Sequence, residues 1–404
     1  MSGLALAEAG GRRWPVITVL GITQIFAWGS SYYLLAVLAG PIAADTGWPL
    51  PWIVGSLSIG LLSAGAVSPA ASNAIGLRGG RPVLALSSLL LAAGLVILAL
   101  SMTLPMFVIG WLVIGAGMGS GLYDAAFASL GRYYGASARP SITVLTLWGG
   151  FASTVCWPLS ALLVDAVGWR GACLAYAAIQ IGLSLPLILV FLPRVAPAPL
   201  PDGTRPPPPP AAFSGAERRT FALLCAIMIL CGVAAATMSV HLLTLLQARG
   251  ETLAAAVALG ALLGPAQVGA RIVEMAGRGR HHPIWTMAAA VILTALGLLL
   301  LTVDTSLAAL ALVFYGAGNG VYSIARGTLP LALFGPERYA RAIGRLGRPN
   351  FVAQALAPSL AALVLSMTGA DVTLWLLTGI AVVNVGLAGL LWRSCGRVEA
   401  ARRL

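Results

Sequence analysis

The chain has 404 residues, of which 59% are hydrophobic and only 9% charged, with a formal net charge of +12. Soluble domains carry nearer 25% charged residues, so this composition excludes an ordinary soluble globular protein, and recurrent apolar runs of about twenty residues point to a polytopic membrane protein. The basicity does not call for a nucleic-acid partner: all 24 basic residues are arginine and most sit in short connections on one side of the apolar runs, the pattern of cytoplasmic loops.

Residues 1–13 are too short and polar for a cleaved signal, so the first apolar run is expected to stay in the membrane. Twelve spans follow in order. The first six are Trp14–Ala39, Pro51–Ile75, Pro82–Ser101, Leu104–Gly131, Pro140–Val167 and Gly171–Leu192. A proline-rich polar stretch over 193–219, with PPPPP at 206–210, reads as an extended cytoplasmic linker. Six more spans are Thr220–Ala248, Leu253–Gly277, Pro283–Val303, Ser306–Phe334, Pro349–Met367 and Asp371–Trp392. The expected domains are therefore 1–192, an N-terminal six-helix bundle, and 220–404, a C-terminal bundle with a short tail.

Arginine placement fixes the expected orientation. Arg78, Arg81, Arg132, Arg139, Arg338 and Arg341, with the termini and linker, fall on one side, and only Arg170 and Arg249 fall in the links of the other. Both termini are then cytoplasmic in a protein of the cytoplasmic (inner) membrane. The five cysteines lie in or just beyond apolar spans at no ligand spacing and read as small core residues; no metal site and no cofactor are expected, and His281-His282 reads as part of a basic loop.

The halves repeat one another weakly. GAGMGSGLYDAAFASL at 115–130 is answered by GAGNGVYSIARGTLPL at 316–331, Trp157-Pro158 by Ala357-Pro358, and YLL at 33–35 by HLL at 241–243. Such repetition marks secondary transporters, which place the solute site at the interface of the repeats. The glycine runs themselves read as close helix packing.

Two six-span halves, an arginine-bearing tight link at 75–82 (IGLRGGRP) and a long central linker resemble the major facilitator superfamily over essentially the whole chain. Gly47-Trp48, RYYGASARPSITVLTLWGG at 132–150, GWR at 168–170 and Arg271 resemble its bacterial monocarboxylate and oxalate/formate porter branch. The resemblance implies an all-α membrane protein, twelve transmembrane helices in two pseudo-symmetric six-helix bundles. The chain departs from the superfamily pattern at Gly76-Leu77, where an Asp-Arg pair is usual, at Gln267, where monocarboxylate carriers often place an acid, and in having no lysine in the first span. WPLS at 157–160 replaces the Gly-Pro-x-x-Gly-Gly run of drug/proton antiporters.

An ionisable residue inside an apolar span is costly and points to function. Arg271 offers a fixed guanidinium fork for a carboxylate, or pairs with Glu274 three residues on. Asp124 and Arg326 lie on the fourth and tenth spans, which in the superfamily line the central cavity. They are candidates for a gating pair, with Arg326 also a candidate for binding the solute and Asp124, like Glu274, for proton coupling or gating; snorkelling or carbonyl bonding is the structural alternative. His241 shares a helix face with Thr237 and Thr244 and is a candidate for solute binding or proton relay, with a bond that merely satisfies a neighbouring helix as the structural alternative. Gln24, Trp28 and Ser31 share a face of the first span, with Tyr33 beyond; Asn350 and Gln354 are one turn apart. Trp28, Tyr33, Asn350 and Gln354 read as cavity-lining. With no nucleophile–base–acid set, no enzyme is expected. The expectation is a monomeric alternating-access transporter for a small organic anion, monocarboxylate-like and proton-coupled, with drug efflux as the alternative and a transporter-like receptor third.

Overall fold

The structure is a computed structural model describing residues 13–194, 213, 215–277 and 279–402, the side chains of 395–402 excepted. Most of the expected linker, with Arg12, Arg278, Arg403 and the side chains of Cys395, Arg397 and Arg402, lies outside the described residues. Among the described residues every regular element is helical. The first stretch comprises α1 (Arg13–Gly29), α2 (Leu35–Thr46), α3 (Leu50–Arg78), α4 (Gly80–Leu100), α5 (Leu104–Gly121) and α6 (Tyr123–Tyr134). Then come α7 (Arg139–Gly150), α8 (Ala152–Ile179) and α9 (Leu185–Phe191), with a π-helical turn at Gln180–Ser184. The later stretch holds α10 (Gly215–Ala248), α11 (Leu253–Gly260), α12 (Leu263–Ala276), α13 (Pro283–Val303) and α14 (Ala308–Arg402).

Seven stretches of described residues are long and apolar enough to cross a bilayer, and two of them, Leu104–Phe191 and Thr305–Ser394, run to 88 and 90 residues. As straight helices these would measure about 130 Å, roughly four times the hydrocarbon core, so each must fold back. The backbone shows where. Gly135, between α6 and α7, has φ 55°, Gly168 in α8 has φ 71°, and Gly335 and Gly369 in α14 have φ 74° and 85°. A left-handed residue cannot continue a right-handed helix, and glycine takes that conformation without a Cβ clash. These breaks are consistent with the twelve expected crossings.

Contacts group the chain into two compact units. The first is Met1–Pro209 with Phe334–Val352, and the second is Pro210–Leu333 with Ala353–Leu404. Each is built around its glycine run. In the first, a Cβ at Gly115 or Gly119 would overlap the backbone of Gly60 or Ala64 on α3, and one at Gly117 would meet Leu91 on α4. In the second, Gly316 and Gly320 lie against Leu263 and Gln267 on α12, and Gly318 against Thr294 on α13. The two runs therefore do the same job at matching positions: they let one helix press into the groove of two others, where dispersion contacts and close backbones hold membrane helices together.

The arginine-poor end of each unit is tied by one arginine. Beside the bend of α8, Arg170 pairs with Asp45 at the end of α2 and donates to the Ser101 carbonyl after α4 (3.1 Å). Trp169 Nε1 donates to the same carboxylate (2.9 Å) while Arg170 lies over the Trp169 ring (4.2 Å). The Trp169 hydrogen bond, helped by Arg170, holds the Asp45 carboxyl below the usual range. In the second unit Arg249, after α10, donates to the Leu301 and Thr302 carbonyls at the end of α13 and pairs with Asp371 (3.3 Å), just past the Gly369 break.

Candidate functional site

In the first unit three membrane-spanning runs lose their helical ladder partway. The α1–α2 run is interrupted over Ser30–Leu34, α5 gives way to α6 at the extended Leu122 (φ −74°, ψ −167°), and α7 gives way to α8 at Phe151. Interrupted backbone is tolerated inside a membrane where protein groups or a water-filled cavity satisfy it. Here side chains do so. Gln24 on α1 is 1% exposed, and its Nε2 donates to the carbonyl of Gly121, the last residue of α5 (2.6 Å). Gln180 Nε2 reaches the Ser30 hydroxyl (3.0 Å) in the α1–α2 interruption.

Aromatic rings gather on these breaks. Trp28 lies 5.2 Å from Tyr123, 5.4 Å from Tyr32 and 6.0 Å from Tyr33, and Tyr33 stands edge-on to Trp157 at 6.1 Å. Tyr123 stacks on Phe127 (5.1 Å), and its hydroxyl donates to the Thr146 carbonyl (3.3 Å). Trp28 and Tyr33, expected to line a cavity, are therefore brought together with Trp157. Tyr123 joins them without having been singled out, because the glycine beside its interruption, Gly121, ends a run that reads as close helix packing.

Asp124 is 2% exposed and lies in the first turn of α6. The break at Leu122 thus sets the carboxylate at a helix N-terminus inside the span, where the helix dipole favours a negative charge. Asp124 Oδ2 and Ser68 Oγ both face Gly347, at distances where a Cβ on that glycine would meet them. Asn350, one turn beyond Gly347, is 1% exposed, and neither atom of its side-chain amide has a hydrogen-bond partner among the described residues. Ser68 and Ser72 hydroxyls are likewise buried without a partner. Unmade hydrogen bonds at such density mark a place that takes up water or a polar guest.

The second unit holds the remaining candidates. Arg271 on α12 is 5% exposed; its Nε donates to the Gly320 carbonyl (3.2 Å), and its Nη2 reaches Gln267 Oε1 at the hydrogen-bond limit of 3.5 Å. Glu274 accepts from Thr286 (2.8 Å) and pairs with His281 (3.0 Å), so the acid expected beside Arg271 is also engaged by the loop that follows it. His281 is thereby more than a basic loop residue, although the described residues contain no group of three or more side chains able to hold a metal. His241 is half-buried and donates through Nε2 to the Pro358 carbonyl (2.9 Å), which fixes the tautomer. Thr237 beside it is buried, and Thr244 is exposed. Gln354, one turn before Pro358, and Arg326 on α14 are half-buried. Asp124 and Asn350 belong to the first unit, and Arg326, Arg271, His241, Glu274 and Gln354 to the second.

Comparison with known proteins bears on this arrangement. A family model described as Major Facilitator Superfamily matches residues 20–281. Human monocarboxylate transporter 11 is 31% identical over 182 residues, which cover 45% of this chain and 37% of that protein, so the match spans little more than a third of the relative's length. Among solved structures, the human organic anion transporter MFSD10 (TETRAN) superposes with a TM-score of 0.73 at 18% identity, covering 93% of this chain and 99% of that one. The transporter FucP in its outward conformation gives 0.71 at 13% identity, covering 92% and 98%. At these identities the likeness shows the fold.

Proposed function

The chain belongs to the major facilitator superfamily, and on that premise we propose that it carries a small organic anion of the monocarboxylate kind across the membrane by alternating access. It is an integral membrane transport protein and not an enzyme. The observation that carries the solute class is Arg271: a guanidinium 5% exposed within an apolar span, held by a backbone carbonyl and a neutral amide. A planar cation that keeps its charge at any physiological pH, in a low-dielectric setting, is suited to a carboxylate. The partial match to a monocarboxylate transporter supports the same class. In this reading the arginine-rich links and both termini face the cytoplasm of a cytoplasmic membrane.

Proton coupling through Asp124 or His241 is part of the proposal. Asp124→Asn and His241→Gln variants are expected to lose the wild-type acceleration of uptake by an imposed pH gradient. If both keep that response, coupling runs elsewhere.

The solute class is tested by thermal unfolding of the purified protein with L-lactate, pyruvate, benzoate, oxalate and tetraphenylphosphonium. A ligand at about a hundred times its Kd adds about 2.7 kcal/mol to the folded state. Stabilisation by carboxylates that vanishes in Arg271→Ala is the expected result. Stabilisation by tetraphenylphosphonium alone favours the second reading, efflux of lipophilic cations, for which the Trp28, Tyr33 and Trp157 rings supply cation–π faces.

A further inference from the structure

We propose that Gln24 is a positioning residue that couples the aromatic corner of the first unit to the carboxylate of Asp124. One of its two bonds reaches another helical run and the other returns along its own helix, one turn on. Through Nε2 it holds the Gly121 carbonyl (2.6 Å), and through Oε1 it receives the indole N–H of Trp28 (3.2 Å). The amide orientation is dictated by chemistry: a carbonyl only accepts and an indole N–H only donates, so nitrogen must face Gly121 and oxygen must face Trp28. A carboxylate, a thioether or an alkyl group of similar size fails at one or both ends.

What Gln24 holds is the joint between α5 and α6. Leu122 is extended there, the helical ladder is interrupted, and Asp124 follows two residues later in the first turn of α6. The other side of the joint is held by rings: Trp28 packs on Tyr123, and Tyr123 is pinned by Phe127 and the Thr146 carbonyl. Trp28 is half-buried, whereas Gln24 and Asp124 are 1% and 2% exposed. A displacement of the accessible indole is therefore passed through a buried amide to the backbone on which the carboxylate is mounted. Loss of the amide leaves a carbonyl and an indole N–H without their partner at that joint, which releases the linkage even where the fold survives. The inference relies on membership of a transport family and not on the identity of the solute.

The test uses the full chain labelled with 5-fluorotryptophan, with the Trp28 resonance identified as the one lost in Trp28→Phe, and no solute present. Asp124→Asn is expected to shift the Trp28 resonance in the otherwise wild-type protein, and Gln24→Leu to cut that shift by at least about half, the non-additivity expected of residues in one network. An equal shift in both backgrounds, or no shift at all, overturns the proposal. Gln24→Glu covers the case in which Gln24→Leu does not fold. Its neutral carboxyl can donate to Gly121 while accepting from Trp28, and its ionised form cannot donate. The Trp28 resonance of Gln24→Glu is therefore expected to return towards its wild-type position as pH falls, and a position independent of pH refutes the coupling. Because no solute enters either experiment, failure of the anion reading leaves this test intact.

Discussion

In the first unit the acid of the arginine-poor clasp, Asp45, sits on the first link and the arginine, Arg170, on the third. In the second unit the arginine, Arg249, sits on the first link and the acid, Asp371, on the third. Both arginines also take carbonyls from the middle link, Ser101 in one case and Leu301 and Thr302 in the other. The charges have changed places while the three links remain joined. The internal repeat is thus kept in the pattern of contacts more than in the residues, which is why a residue-by-residue comparison of the halves finds so little. The clasps also differ in what they are centred on. Asp45 gathers Trp169 and Arg170 around a carboxylate, whereas Arg249, with a side chain 17% exposed, is centred on backbone carbonyls and its acid is 76% exposed.

The equivalence of the two units is tested most severely at Gly119 and Gly320. Each lies against helix backbone, of Ala64 and Gln267 respectively, which cannot give way as a flexible side chain would. Gly119→Leu and Gly320→Leu are both expected to cost more than about 3 kcal/mol, enough to abolish a monodisperse protein by size-exclusion chromatography. If one is tolerated, the glycine runs are not equivalent. Next in size is Arg249→Ala, which strands two carbonyls and is expected to cost about 2 kcal/mol in thermal unfolding. Asp371→Ala, removing only the exposed partner, is expected to cost about 0.5 kcal/mol or less. A reversal of that order would mean that the second clasp is centred on its ion pair after all.

The smallest effect separates the clasps by pH. The Asp45 carboxyl is held below its unfolded value by Trp169 and then Arg170. The unfolded chain therefore takes up the proton first on acidification, and the contribution of Asp45, complete above about pH 4, is lost as pH falls through the folded value. An acid titration of thermal stability is expected to fall more steeply below about pH 4 for the wild type than for Asp45→Asn. Parallel curves would show that Asp45 contributes nothing to this clasp.

Much of the architecture could be read from the chain because apolar runs of membrane length and one-sided arginines are direct consequences of the bilayer. The site was less legible, for identifiable reasons. Proline is the usual marker of a broken helix, yet the backbone stays helical at Pro41, Pro69 and Pro158, and the interruptions at Ser30–Leu34, Leu122 and Phe151 contain no proline. Asp124 could be recognised as a charge in an apolar span, but not as the start of a helix. Arg271 stood out for the same reason, whereas its carbonyl partner Gly320 lies on another helix and reads as packing glycine. The bond from Glu274 to His281 depends on a loop that turns back on the helix before it, and seven residues of separation give no hint of that.

The interruptions in the first unit also have a mechanical meaning. α3 and α4 run without a break from Leu50 to Arg78 and from Gly80 to Leu100, like two uncut beams, while the runs α1–α2, α5–α6 and α7–α8 are each notched. A load on a frame of whole and notched members is taken up at the notches, where the ladder of backbone hydrogen bonds is irregular and resists bending less. Amide exchange in this unit should accordingly be faster across the three notches than along the two beams, so that the unit carries its own line of articulation.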